Sequence, residues 1–229
     1  MILVFASSKG GAGKSTSCAA LASAIALSGE RVLVLDLDPN GTIKRWSGKI
    51  SLPGLSVEAV PANDFTKVLQ ERIASQRFDH ILIDLMGTRE VTLLKALARA
   101  DLVIVPAQTS EPDLREALVI ASDVRDMAET KGKPIAYRLL LTKVYPLRTR
   151  VMDFVMAELG RLKLPSFHTA LVERTAYREM FLSGEPPSRS DPLKAGREIE
   201  ALLLEIRALT EPPRQRAVYE QPRPQGVPA

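Results

Sequence analysis

The chain has 229 residues, 45% of them hydrophobic, which suits one α/β domain with a sizeable core, and a formal net charge of +4 that permits contact with nucleic acid or an anionic surface. One cysteine, Cys18, excludes a disulfide framework and a cysteine metal site, and it falls in helical register with Leu21, Ala22 and Ile25 as a small core residue. The first residues lack a charged leader region and no apolar run is long enough to span a membrane as a helix, so a cytoplasmic setting without membrane insertion is expected.

Strand and helix patterns alternate along the chain. Ile2–Ala6 reads as a strand, and about Lys14 to Ser28 as a helix closed by Gly29. Arg31–Asp36 is continuously apolar before its final acid, the pattern of a strand buried on both faces. Leu55–Val60 is a shorter strand. Asp64–Ser75 carries Phe65, Val68, Leu69 and Ile73 at helical spacing, with Asn63 as the expected N-cap. His80–Asp84 and Leu102–Val105 are buried strands flanking a helix at Glu90–Ala98. A long helix, Glu111–Lys131, is stopped by Gly132 and Pro134. Then come a strand at Ile135–Leu141, a helix at Thr149–Leu162, a short strand at Ser166–Thr169, and helices at Thr175–Ser183 and Pro192–Leu209. Such alternation predicts a three-layer α/β fold, a mostly parallel central sheet with helices on both faces, over residues 1–209. From 210 to 229, prolines interleaved with Arg214, Arg216 and Arg223 bury nothing and predict a disordered tail.

The stretch Lys9-Gly10-Gly11-Ala12-Gly13-Lys14-Ser15-Thr16 sits between the first strand and the first helix. A glycine loop opening a helix offers backbone N–H groups and the positive end of the helix dipole to an anion. Lys14 would reach the β- and γ-phosphates of a nucleotide, and the Ser15 hydroxyl would ligate Mg2+. Gly11-Ala12-Gly13 also begins a dinucleotide fingerprint, with Asp36 as its ribose-binding acid, but Thr16 stands where that fingerprint needs glycine. Asp36 and Asp38 alternate onto one side of an extended segment. Asp84 ends an apolar strand, the pattern of a carboxylate that holds Mg2+ directly or through water.

The loop lacks the first glycine of the common phosphate-loop pattern and has Lys9 instead. It resembles the deviant Walker A motif of the ParA/MinD family of ATPases, and the resemblance extends over about residues 1–190. Asp38-Pro39 resembles the family's second signature. Ala100-Asp101-Leu102-Val103-Ile104-Val105-Pro106-Ala107-Gln108 resembles a later block, followed by Asp113 at a familiar distance, and Arg174 to Gly184 a late segment bordering nucleotide and partner surfaces. The resemblance implies a P-loop NTPase fold, ATP and Mg2+ as cofactors, and slow, partner-stimulated hydrolysis. It implies that Lys9 reaches the nucleotide of a partner subunit in an ATP-dependent homodimer, that Lys14 and the loop bind phosphate, and that Asp38 positions the hydrolytic water. It further implies Ser15, Asp84 and Asp36 around the metal, Asp36 either in its shell or in support, Gly87 near the γ-phosphate, and Thr142 and Lys143 at the adenine. Asn40 stands where glutamine is common, and Leu85-Met86 where proline or glutamate is common.

The implied function is a plasmid or chromosome partition or cargo-positioning ATPase that binds DNA nonspecifically, associates with the nucleoid and is released by a ParB-like or cargo-adaptor protein. Arg148, Arg150, Arg161, Lys163, Arg189, Lys194 and Arg197 are available for phosphate contact. A VirC-like variant would recruit a conjugative DNA-transfer complex. The Pro-rich C-terminus lacks the apolar face of a MinD-type membrane helix. The start directly at the first strand argues against a sequence-specific DNA-binding extension. The alternatives are a dethiobiotin-synthetase-like ligase, for which no acceptor insertion is evident, and a nitrogenase-reductase-like electron carrier, which needs more cysteines than Cys18.

Overall fold

The computed structural model describes residues 1–86, 91–147 and 149–210. Its strands are β1 (Ile2–Phe5), β2 (Val32–Asp36), β3 (Leu55–Ala59), β4 (His80–Asp84), β5 (Leu102–Gln108) and β6 (Ala136–Thr142). The helices among the described residues are α1 (Lys14–Leu27), α2 (Thr42–Ser47), α3 (Phe65–Ser75), α4 (Val91–Leu97), α5 (Glu111–Lys131), α6 (Arg150–Arg161), α7 (Thr175–Ser183), α8 (Pro187–Ser190) and α9 (Arg197–Thr210). A π-helical turn, Pro192–Gly196, leads into α9.

The six strands form one parallel sheet in the order β3-β2-β4-β1-β5-β6. Successive side chains leave a strand on opposite faces, so every strand except the edge strand β3 feeds two cores; β3 gives Leu55 and Val57 to one of them. Phe5, Val34, Leu82, Ile104 and Leu140 pack with α1, α2, α7 and α9. Val4, Leu35, Ile83, Val105 and Leu141 pack with α3, α4, α5 and α6. This is the expected three-layer fold, with every strand pair parallel. The order also excludes the dinucleotide alternative, in which β1 would lie directly beside β2. Here β4 intervenes, with Asp36 and Asp84 in register on adjacent strands.

Several expected elements differ. The short strand at Ser166–Thr169 is a single parallel bridge from Ser166 to Leu139. Asp64, not Asn63, precedes α3, and no side chain caps it. The strand expected to end at Val105 continues through Pro106 to Gln108, since β6 supplies acceptors and donors along its whole length. The last helix starts as the π turn, where the Asp191 side chain accepts from the Ala195 N–H at 3.4 Å, and it runs to Thr210. The helices α2 and α8 have no counterpart in the sequence reading; both are too short to show helical periodicity. Gly87, Glu90, Arg148 and the segment 211–229 lie outside the described residues.

Candidate nucleotide site

The carboxyl ends of parallel strands are where a ligand meets such a sheet. Beyond β1 the chain runs through buried Ser7 into the loop Ser8–Gly13 and then into α1. Gly13 stands before α1 with φ 94°, and a Cβ there would lie 3.3 Å from the Thr142 side chain, so this position requires glycine. No side chain caps α1. By contrast, Ser110 caps α5 and Thr149 caps α6 by accepting from Asp113 N–H and Met152 N–H. The first turn of α1 therefore keeps its N–H groups for something other than a side chain.

Three side chains from β5, β6 and the residue after it fix the outer wall of the loop. Gln108 Nε2 and Lys143 Nζ each donate to the Gly11 carbonyl at 2.9 Å, and Thr142 Oγ1 donates to the Ala12 carbonyl at 2.7 Å. From inside, Lys14 Nζ donates to the Lys9 carbonyl at 3.2 Å. Lys14 is buried, and desolvation lowers its pKa against the opposing pull of Asp84 and Asp38. The first turns of α5 hold the leading edge. Lys9 Nζ pairs with Asp113 Oδ1 at 3.1 Å, and Ser8 Oγ bonds the Glu116 carboxylate.

Three carboxylates face this loop from the ends of β2 and β4. Ser15 Oγ donates to Asp84 Oδ2 at 2.7 Å, while Asp84 Oδ1 is buried without a hydrogen-bond partner among the described residues. Burial raises the Asp84 pKa to about 7, with the Ser15 hydrogen bond and Lys14 opposing and Asp36 and Asp38 adding to the rise. A buried carboxylate oxygen with no donor, beside a serine hydroxyl, fits a divalent cation. Asp36 is engaged differently: Oδ2 accepts from Lys44 N–H at 2.9 Å and Oδ1 from Asp38 N–H at 3.2 Å. Its burial raises its pKa, and these backbone donors oppose the rise. Half-buried Asp38 accepts from Asn40 N–H at 2.9 Å and so closes the turn into α2.

Two clefts open beside the loop. One of about 200 Å³ lies between Gly13, Thr16, Thr142, Lys143 and the α7 residues Tyr177 and Phe181. The other, about 540 Å³, lies beyond Asp38, between the ends of β2, β3 and β4. Lys9, Lys14, Ser15, Asp36, Asp38, Asp84, Thr142 and Lys143 thus converge on one end of the sheet; Gly87 is outside the described residues. Gln108 was legible only within a motif block, and Glu116 was missed. Its signal is its place three residues after Asp113, one turn along the same helix face.

Cys18 is completely buried, with its pKa raised well above normal, chiefly by desolvation, which removes the electron-carrier alternative at a subunit surface. Among the described residues, no group of three or more His, Cys, Asp or Glu could hold a metal by itself, and no helix is long and apolar enough to cross a membrane.

Residues 1–185 match the family model described as VirC1 protein. Protein ParA of Rhizobium radiobacter is 30% identical over 189 residues, 80% of this chain and 83% of the relative. Protein virC1 of Rhizobium rhizogenes is 27% identical over 78% of this chain and 79% of the relative. The chromosome-partitioning ATPase Soj of Treponema pallidum is 25% identical over 89% and 96%. Among solved structures, apo McdA of Cyanthece superposes with a TM-score of 0.74 at 16% identity, over 90% of this chain and 98% of that one. A plasmid partition protein of Borrelia burgdorferi bound to AMPPNP gives 0.67 at 19% identity, over 90% and 97%. The septum site-determining protein MinD of Pyrococcus horikoshii with Mg-ADP gives 0.68 at 17% identity, over 90% and 95%.

Proposed function

The chain belongs to the VirC1 protein family, within the ParA/MinD group of P-loop ATPases, and from that premise we propose that it hydrolyses ATP as a nucleotide-controlled dimer that associates with DNA. The observation that carries this reading is the Ser15–Asp84 hydrogen bond, with its unpartnered buried Oδ1, set beside the uncapped start of α1 and the Lys14 ammonium.

The residues divide the work by position. The loop N–H groups and Lys14 bind and neutralise the phosphates of ATP, and the glycines admit them closely. Ser15 and Asp84 would hold Mg2+, which offsets phosphate charge when bound. Asp38, which feels the Lys14 charge but forms no contact salt bridge among the described residues, orients the attacking water. Asp36 keeps Asp38 in place through its two backbone contacts, the supporting role among the two that the resemblance allows. The 200 Å³ cleft receives the base, with Tyr177 and Phe181 as aromatic walls and Lys143 at its mouth. Lys9 leaves Asp113 to reach the nucleotide of a second subunit. Exposed Arg189, Lys194 and Arg197 cluster on α8, the π turn and the start of α9, where they supply phosphate contacts for DNA. A ParB-like or cargo-adaptor protein stimulates turnover and releases the dimer from the nucleoid.

The cargo follows one of two readings. The relatives named ParA and Soj favour partition of plasmid or chromosome. The family model and the virC1 relatives favour recruitment of a conjugative DNA-transfer complex.

The activity is tested by phosphate release from Mg-ATP with the wild type and Lys14→Ala. Release by the wild type alone supports it. Equal release by both, or none by either together with no nucleotide retained in equilibrium dialysis, would refute it.

A further inference from the structure

The helix after Asp38 is only six residues long, Thr42–Ser47, and a helix of that length has little stability of its own. Its place is set by what grips it. At its start Asp36 accepts from Lys44 N–H. At its end the grip comes from α7, which is remote in sequence. Trp46, 1% exposed, donates its indole N–H to the Gly184 carbonyl at 3.1 Å. Its ring meets Phe181 edge-on, with centroids 6.3 Å apart. Lys49 Nζ donates to the Phe181 carbonyl at 2.7 Å. The two backbones touch: Gly184 has φ 87°, and a Cβ there would sit 2.8 Å from the Lys49 carbonyl oxygen.

Phe181 belongs to two sites at once. One side of the residue meets Trp46, and it also lines the cleft beside Gly13, with Tyr177 of the same helix. At the other end of α2, a tight turn leads back to Asp38. Gly41 N–H donates to the Asp38 carbonyl at 2.7 Å, and Asn40 N–H to its carboxylate at 2.9 Å. Losing that acceptor would leave a buried indole N–H unpaired, a penalty that ties the position of α2 to that of α7.

We propose that Trp46 is a positioning residue that couples the base cleft to the hydrolytic turn: a base seated against α7 sets, through Trp46 and α2, where Asp38 stands. The proposal rests on the nucleotide reading above and adds a rule to it. The base, which takes no part in the chemistry, spends part of its binding energy on placing Asp38. A phosphate chain without a base fills the loop but leaves Asp38 unplaced.

Trp46 is the only tryptophan in the chain, so its emission reports the coupling directly. Full-length protein is titrated with Mg-ATP and with Mg-tripolyphosphate, and binding is followed in parallel by equilibrium dialysis. Emission should shift with Mg-ATP and stay unchanged at saturating tripolyphosphate. Trp46→Phe keeps an aromatic ring and removes the N–H donor. It should bind Mg-ATP within about two-fold of wild type while kcat falls about ten-fold, the rate equivalent of one lost hydrogen bond. Lys49→Met, at an exposed site that leaves the core intact, should lower kcat in the same direction by a smaller factor. A shift of equal size with both probes, no shift with ATP that demonstrably binds, or wild-type kcat in both variants would overturn the coupling while leaving the nucleotide reading intact. Failure of the wild type to retain Mg-ATP in dialysis would overturn both.

Discussion

Ser15 Oγ donates to one oxygen of Asp84 at 2.7 Å, and the other oxygen of Asp84 is buried with no donor among the described residues. The arrangement costs the free chain stability once Asp84 ionises, and the proposed Mg2+ would offset that cost. An unfolded aspartate ionises near 3.8, whereas burial raises Asp84 to about 7. Its contribution to stability is therefore fully present below about pH 4 and is lost as the pH rises to about 7. Asp84→Asn, neutral at every pH, should gain in melting temperature over the nucleotide-free wild type as the pH is raised from about 5 to about 8. Each kcal/mol corresponds to about 2–4 °C at this size. Differential scanning fluorimetry at the two pH values checks this, and the same variant should lose the stabilisation that Mg-ATP gives the wild type.

Lys9 pairs with Asp113, but its side chain is 45% exposed. Solvent screens the lysine end, and Asp113, only 6% exposed, keeps the hydrogen bond from Ser110 Oγ when the lysine is removed, so the loss is about 1 kcal/mol. Lys9→Ala should consequently melt within a few degrees of the wild type, yet fail to dimerise on Mg-ATP in sedimentation velocity. ATP-dependent dimerisation retained in that variant would remove the trans role of the lysine.

Cys18 lies on the core-facing side of α1, completely buried, and its thiol is held well above its normal pKa by loss of solvent. Thiolate is the reactive form. The native protein should resist a thiol reagent at neutral pH for as long as it stays folded and react with one equivalent in denaturant. Rapid native labelling would mean that α1 opens far more readily than its packing indicates.

The phosphate loop was legible because its meaning is local: glycine spacing, Lys14 and Ser15 all lie within one strand-loop-helix step. Continuously apolar stretches such as Val32–Leu35 gave the buried strands for the same reason. The sheet order was not legible, since nothing in β1 or β4 says that they pair. Helix α2 escaped because six residues show no period, and its anchor, Gly184, lies 138 positions from Trp46. Trp46 reads as an ordinary packed aromatic until α7 is seen against it. Asp36 looks equivalent to Asp84 in sequence, as an acid closing an apolar strand. Only the structure shows one with both oxygens given to backbone N–H groups and the other with an oxygen left open.

Co-sedimentation of the protein with nonspecific DNA in the presence of ATP, ADP or no nucleotide, for the wild type and Asp38→Ala, reads out the nucleotide-controlled switch. Wild type should sediment with DNA only with ATP and lose that binding as salt is raised, since it rests on phosphate contacts. Asp38→Ala, able to bind ATP but not to orient water, should remain in the DNA-bound fraction after the wild type has released. Equal binding under all three nucleotide conditions, or release of Asp38→Ala at the wild-type rate, would contradict it.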